Sequence, residues 1–88
     1  MPERWFDYKI SGEGTRKFWE FCKCLRNYYV PIEDVPRDVE ISLRGLGVVP
    51  GYEDETLNKN MISTREEIPS RIKSYLEERF KIELIISP

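Results

Sequence analysis

Residues Trp5 to Ser11 alternate: Phe6, Tyr8 and Ile10 fall on one side, Asp7, Lys9 and Ser11 on the other. A period of two marks a half-buried strand and predicts one over 5–11. Gly12-Glu13-Gly14 breaks the alternation, and Thr15 is placed to cap a helix by accepting an orphan backbone N–H. Beyond it the apolar residues recur as Phe18, Phe21, Cys22, Leu25, Tyr28 and Tyr29. At about 100° per residue this spacing gathers them on one face, which predicts a helix over 15–30. Pro31 ends it, because a proline ring pushes the preceding residue out of the α region, and 31–36 reads as a stiff acidic connector.

Val39, Ile41 and Leu43 alternate with Glu40, Ser42 and Arg44, predicting a second strand over 38–44. Gly45-Leu46-Gly47-Val48-Val49 reads as its prolongation through a glycine bulge, and Pro50-Gly51 as a reversal. In 56–62, Leu57 and Met61 share a face while Asn58 and Asn60 have poor strand propensity; a third strand is expected there. Thr64-Arg65-Glu66-Glu67 matches a capping box, with Pro69 marking an alternative helix start, since proline is best tolerated at the first helical position. Ile68, Ile72, Tyr75, Leu76 and Arg79 form the inner stripe of this helix, which runs to about Phe80. Ile82, Leu84 and Ile86 then alternate with Glu83 and Ser87 as a final strand.

The predicted order is βαββαβ, that of the ferredoxin-like α+β fold: two helices on one face of a four-stranded antiparallel sheet. The alternative is a three-stranded sheet with two helices and a long ordered loop over 45–63.

Composition fits one small domain over 1–88: the 88 residues are 40% hydrophobic, 12% aromatic and 34% charged, with a net charge of -2. That is enough apolar surface to offset chain entropy, unlike a disordered segment. There is no His, which excludes imidazole general bases, Ser-His-Asp triads and His-containing metal sites. A pI near 5.2 argues against a dedicated nucleic-acid binder. No apolar run approaches the roughly 20 residues of a membrane span, and Met1-Pro2-Glu3-Arg4 opens no signal peptide. Cys22 and Cys24 stand two apart in a helical pattern and point away from each other, so no disulfide is expected. The expectation is a cytoplasmic protein without membrane contact, cofactor or metal. Glu53-Asp54-Glu55 lacks the spacing of a calcium loop and reads as a solvated turn.

Two positions suggest chemistry. Gly12, Gly14, Thr15 and Arg16 form a strand-to-helix turn whose exposed N–H groups suit an anion, although such a turn needs glycine and a cap regardless of function. Ile10-Ser11-Gly12, followed by Gly14, Arg16 and Phe18, resembles the phosphate-binding start of the acylphosphatase family. That resemblance implies a phosphate held by Arg16 and an asparagine on a sheet strand positioning water. It spans only 10–18, its loop is shorter than the family's, and 38–44 holds no asparagine; Asn58 and Asn60 lie in 56–62.

The second position is the outer face of helix 15–30, where Arg16, Lys17, Lys23 and Asn27 cluster with only Glu20 opposing, and Trp19 and Arg26 lie at the border. A solvated helix face accounts for the cations, whereas Trp and Arg together suit a partner-binding anchor. Trp5 points to the other sheet face, away from the helices, where a second copy or a stacked base would fit. The expected function is therefore a small non-enzymatic binding or regulatory module acting through protein contacts. Homodimerisation through the open sheet face or the edge of the last strand is one form of it. Two alternatives remain: a nucleic-acid-associated protein using the basic helix face, and a small phosphate-handling enzyme at the Gly12–Arg16 turn.

Overall fold

The structure, a computed structural model, describes residues 5–27, 34–50 and 60–86. Its elements are β1 (Phe6–Ser11), α1 (Thr15–Arg26), α2 (Arg37–Leu46), β2 (Val49–Pro50), β3 (Met61–Thr64), α3 (Ser70–Phe80) and β4 (Glu83–Ile86). The class is α+β, with three helices and one antiparallel sheet in the order β2-β3-β1-β4 among the described residues. Register pairs include Tyr8 with Ile62 and Ile86, Ile10 with Leu84, and Pro50 with Ile62. With every neighbour antiparallel, β1 and β2 run parallel on either side of β3, and β3 and β4 parallel on either side of β1. Four strands form the sheet among the described residues, so the three-stranded alternative is not observed; 51–59 of its loop lie outside the described residues.

The strand expected over 38–44 is a correction: these residues belong to α2. Val39 and Leu43 are buried four positions apart while Ile41, which alternation would turn inward with them, is 56% exposed. Val39, Leu43 and Leu46 follow the 3.6-residue period, and a seven-residue window satisfies both periods until the third apolar residue is placed. Pro36 precedes the first turn, and Asp38 and Glu40 lie in that turn, where carboxylates favour the positive helix end. Gly47, read as part of a bulge, is the left-handed residue after the helix, with φ 68°, and its N–H bonds to the Arg44 carbonyl. Of the expected strand extension over 45–49 only Val49 lies in β2, whose second residue is Pro50, read from the sequence as part of a reversal.

Helix starts also differ from expectation. Thr15 is the first residue of α1 rather than its cap; its hydroxyl donates to the Gly12 carbonyl at 2.7 Å. Thr64 lies in β3 and is fully buried, its hydroxyl donating to the Glu66 carbonyl at 2.6 Å. The capping box is therefore not formed, and α3 begins after Pro69, the alternative start. The expected strand 56–62 is observed as β3 over Met61–Thr64. The tail of the predicted first helix (28–30), part of the connector (31–33), Gly51, the acidic run 53–55, positions 56–59 and Ser87 lie outside the described residues.

One core joins the sheet to the helices. Tyr8, Ile10, Ile62 and Leu84 from the strands pack with Phe18, Phe21, Cys22 and Leu25 of α1, Val39 and Leu43 of α2, and Ile72, Leu76 and Phe80 of α3. Phe80 meets Phe18 edge-on at 5.2 Å and Phe21 at 5.4 Å between ring centroids, tying α3 to α1. The turn after β1 is equally close: a Cβ at position 14 would stand 1.7 Å from the Phe80 carbonyl oxygen. Gly14 is therefore required by the backbone of the α3–β4 corner.

Candidate functional site: the open sheet face

The alternation that buries Tyr8, Ile10, Ile62 and Leu84 sends their neighbours to the opposite face. Register places Asp7 beside Ser63, Ser63 beside Val49, and Lys9 between Met61 and Ile85. Trp5 extends this face one step beyond Asp7. Trp5 is 38% and Ile85 46% exposed, while Val49 and Met61 are half-buried. Trp5, Asp7, Val49 and Ser63 line a shallow depression of about 350 Å³. At its floor Ser63 donates to Asp7 Oδ1 at 2.6 Å, fixing the carboxylate. The face thus combines a large aromatic, aliphatic side chains and charges of both signs.

Trp5 is where the sequence places it. Ser63 lies beyond the strand expected over 56–62, while Val49 and Met61 fall within expected strand segments but reach this face through a long-range register that the sequence pattern does not carry. Ile85 points outward, the side opposite buried Leu84 that strand alternation gives it. The edge of β4 is less open than an unpaired strand: Glu77 of α3 accepts the Leu84 N–H at 2.9 Å through its side chain and pairs with Lys73 at 3.3 Å.

On α1, Arg16, Lys17, Lys23 and Arg26 are exposed as expected. Trp19 is not a border anchor: it is 2% exposed and belongs to the core, with Lys23 Nζ 5.7 Å from its ring centroid. A helical stripe wider than the one drawn from Phe18 to Leu25 takes in Trp19. At the Gly12–Arg16 turn, Gly12 and Gly14 both face the α3–β4 corner; a Cβ at 12 would approach the Lys81 carbonyl oxygen to 2.5 Å. Gly14 N–H points at that carbonyl at 3.5 Å, Thr15 N–H bonds to Gly12, and Arg16 extends into solvent. These glycines meet a packing need. Asn60 lies in the turn before β3, where its carbonyl accepts the Ile10 N–H at 2.6 Å.

Burial pushes the Tyr8 phenol above its ordinary pKa, an effect the Ile68 N–H donated to its oxygen only partly offsets. Burial likewise pushes the Cys22 thiol far up, so it stays protonated and packs as a small apolar side chain. Both cysteines are free. Among the described residues no group of three or more acidic or Cys side chains could hold a metal ion, and no helix is long and apolar enough to cross a membrane. Comparison with family models, with curated proteins and with solved structures finds no match to this chain.

Proposed function

We propose that the protein is a non-enzymatic binding module that works through protein contacts on its open sheet face, with a second copy of the chain as the occupant. The observation that carries this reading is the presence of Trp5, Val49, Met61 and Ile85 on the face turned away from the core, two of them among the most exposed apolar side chains described. Tryptophan is among the side chains that supply most of an interface's energy. Charge is compatible with self-association: Lys9 lies near Asp7 and Glu83 on the same face, so a two-fold axis passing between Lys9 and either acid sets each lysine opposite a carboxylate of the other copy. The covered Leu84 N–H makes the β4 edge the poorer contact.

The sheet is read as a ferredoxin-like one elaborated by α2, a reading supported by the interleaved strand order and the all-antiparallel pairing. A cytoplasmic setting belongs to the same proposal and is supported by the two free thiols.

Light scattering over a hundredfold concentration range tests the association. The expected result is a mass rising from one chain to two, with Trp5→Ser remaining at one chain while keeping its fold. A single-chain mass at every concentration would overturn the proposal.

A further inference from the structure

Three arginines far apart in sequence meet on the helical side of the molecule. Arg26 ends α1, Arg44 lies in the last turn of α2, and Arg65 follows β3; together with Leu25 and Gly47 they line a recess of about 70 Å³. Arg44 is fixed: its Nε and Nη2 donate to Glu40 Oε2 at 3.1 and 3.0 Å, and its Nη1 donates to the Leu25 carbonyl at 2.9 Å. The Arg65 backbone is held by its N–H to the Leu46 carbonyl at 2.9 Å. Its guanidinium lies over Gly47, where a Cβ would be 3.0 Å from Nε. Arg26 and Arg65 are exposed, and among the described residues neither side chain finds an ion-pair or hydrogen-bond partner.

Cations at helix C-termini partly answer the helix dipoles, each equivalent to roughly half a negative charge. The ends of α1 and α2 and the Glu40 carboxylate then offset about two of the three guanidinium charges, leaving the recess positive in an acidic protein. We infer that the recess between Arg26, Arg44 and Arg65 binds a phosphate-type oxyanion, either inorganic phosphate or a phosphate monoester. With Arg44 held by Glu40 and the Leu25 carbonyl, it is Arg26 and Arg65, lining the recess from the end of α1 and from the residue after β3, whose guanidinium donors match the several oxygens of a tetrahedral anion. The volume suits such a group and falls well below the roughly 300 Å³ where pockets for larger ligands begin.

The test uses the full chain and calorimetric titration with sodium phosphate and, separately, O-phosphoserine, each against sodium chloride of equal ionic strength. Saturable binding is expected, weakened about tenfold or more by Arg65→Gln and by Arg26→Gln. Arg16→Gln, at the α1 N-terminus, should leave it unchanged. Tighter phosphoserine than phosphate would assign the site to an ester, and the reverse to the free ion. Absence of saturable heat with both probes would overturn the inference, as would binding lost in Arg16→Gln and kept in Arg65→Gln. Circular dichroism of each variant confirms that the fold is retained.

Discussion

The phenol oxygen of Tyr8, in the middle of β1, accepts the backbone N–H of Ile68, the residue that leads into α3, at 2.8 Å. Both residues are buried, so this bond joins sheet to helix where water cannot replace it. Tyr8→Phe keeps the ring and orphans the N–H. Chemical denaturation should show a loss of about 1 to 3 kcal/mol with little change in m-value.

The glycines of the second helix give opposite expectations from nearby positions. Gly45 lies within α2 with nothing within 4 Å of the place a Cβ would take, so Gly45→Ala should stabilise by about 0.5 to 1 kcal/mol, as alanine does in a helix interior. Gly47→Ala should destabilise, because φ 68° is left-handed and the new Cβ would press on Arg65. Were 38–44 a strand, the gain at position 45 would not appear. Thermal denaturation of both variants reads the difference.

Much of the architecture is legible in the sequence because long amphipathic segments carry redundant signals. The period-two run of β1 and the stripes of α1 and α3 give Tyr8, Ile10, Phe18, Phe21, Cys22, Leu25, Ile72 and Leu76 as core. Val39 to Leu43 misleads because the run is short enough to satisfy two periods; only Leu46 and the helix-ending Gly47 break the tie. The open sheet face is half legible. Trp5 and Ile85 follow from alternation, whereas Val49 and Ser63 depend on a long-range register that no local pattern encodes. The meeting of Arg26, Arg44 and Arg65 depends in the same way on tertiary packing.

Glu77 guards the β4 edge by accepting the Leu84 N–H. Glu77→Ala removes that acceptor and the Lys73 partner, exposing a strand edge beside Ile85 and Ile86. The variant should lose about 1 to 2 kcal/mol and aggregate more readily on mild heating, measured by turbidity.

Alkaline pH should weaken the fold through Cys22 and Tyr8. Both have a raised pKa when folded, so above the unfolded thiol value of about 8.5, and then the phenol value of about 10, the unfolded chain releases protons that the native state retains. Stability is fully present below those values and falls as pH rises beyond them, by up to about 1.4 kcal/mol per pH unit for each group. Urea denaturation at pH 7 and 9.5 should show the loss, and Cys22→Ala should diminish it relative to its own value at pH 7.

Amide chemical shifts followed on dilution test the sheet-face association most directly. Concentration-dependent shifts are expected at Asp7, Lys9, Met61, Ser63 and Ile85, with the amides of Arg16, Lys17 and Lys23 unmoved. Shifts independent of concentration, or confined to the basic face of α1, would contradict it.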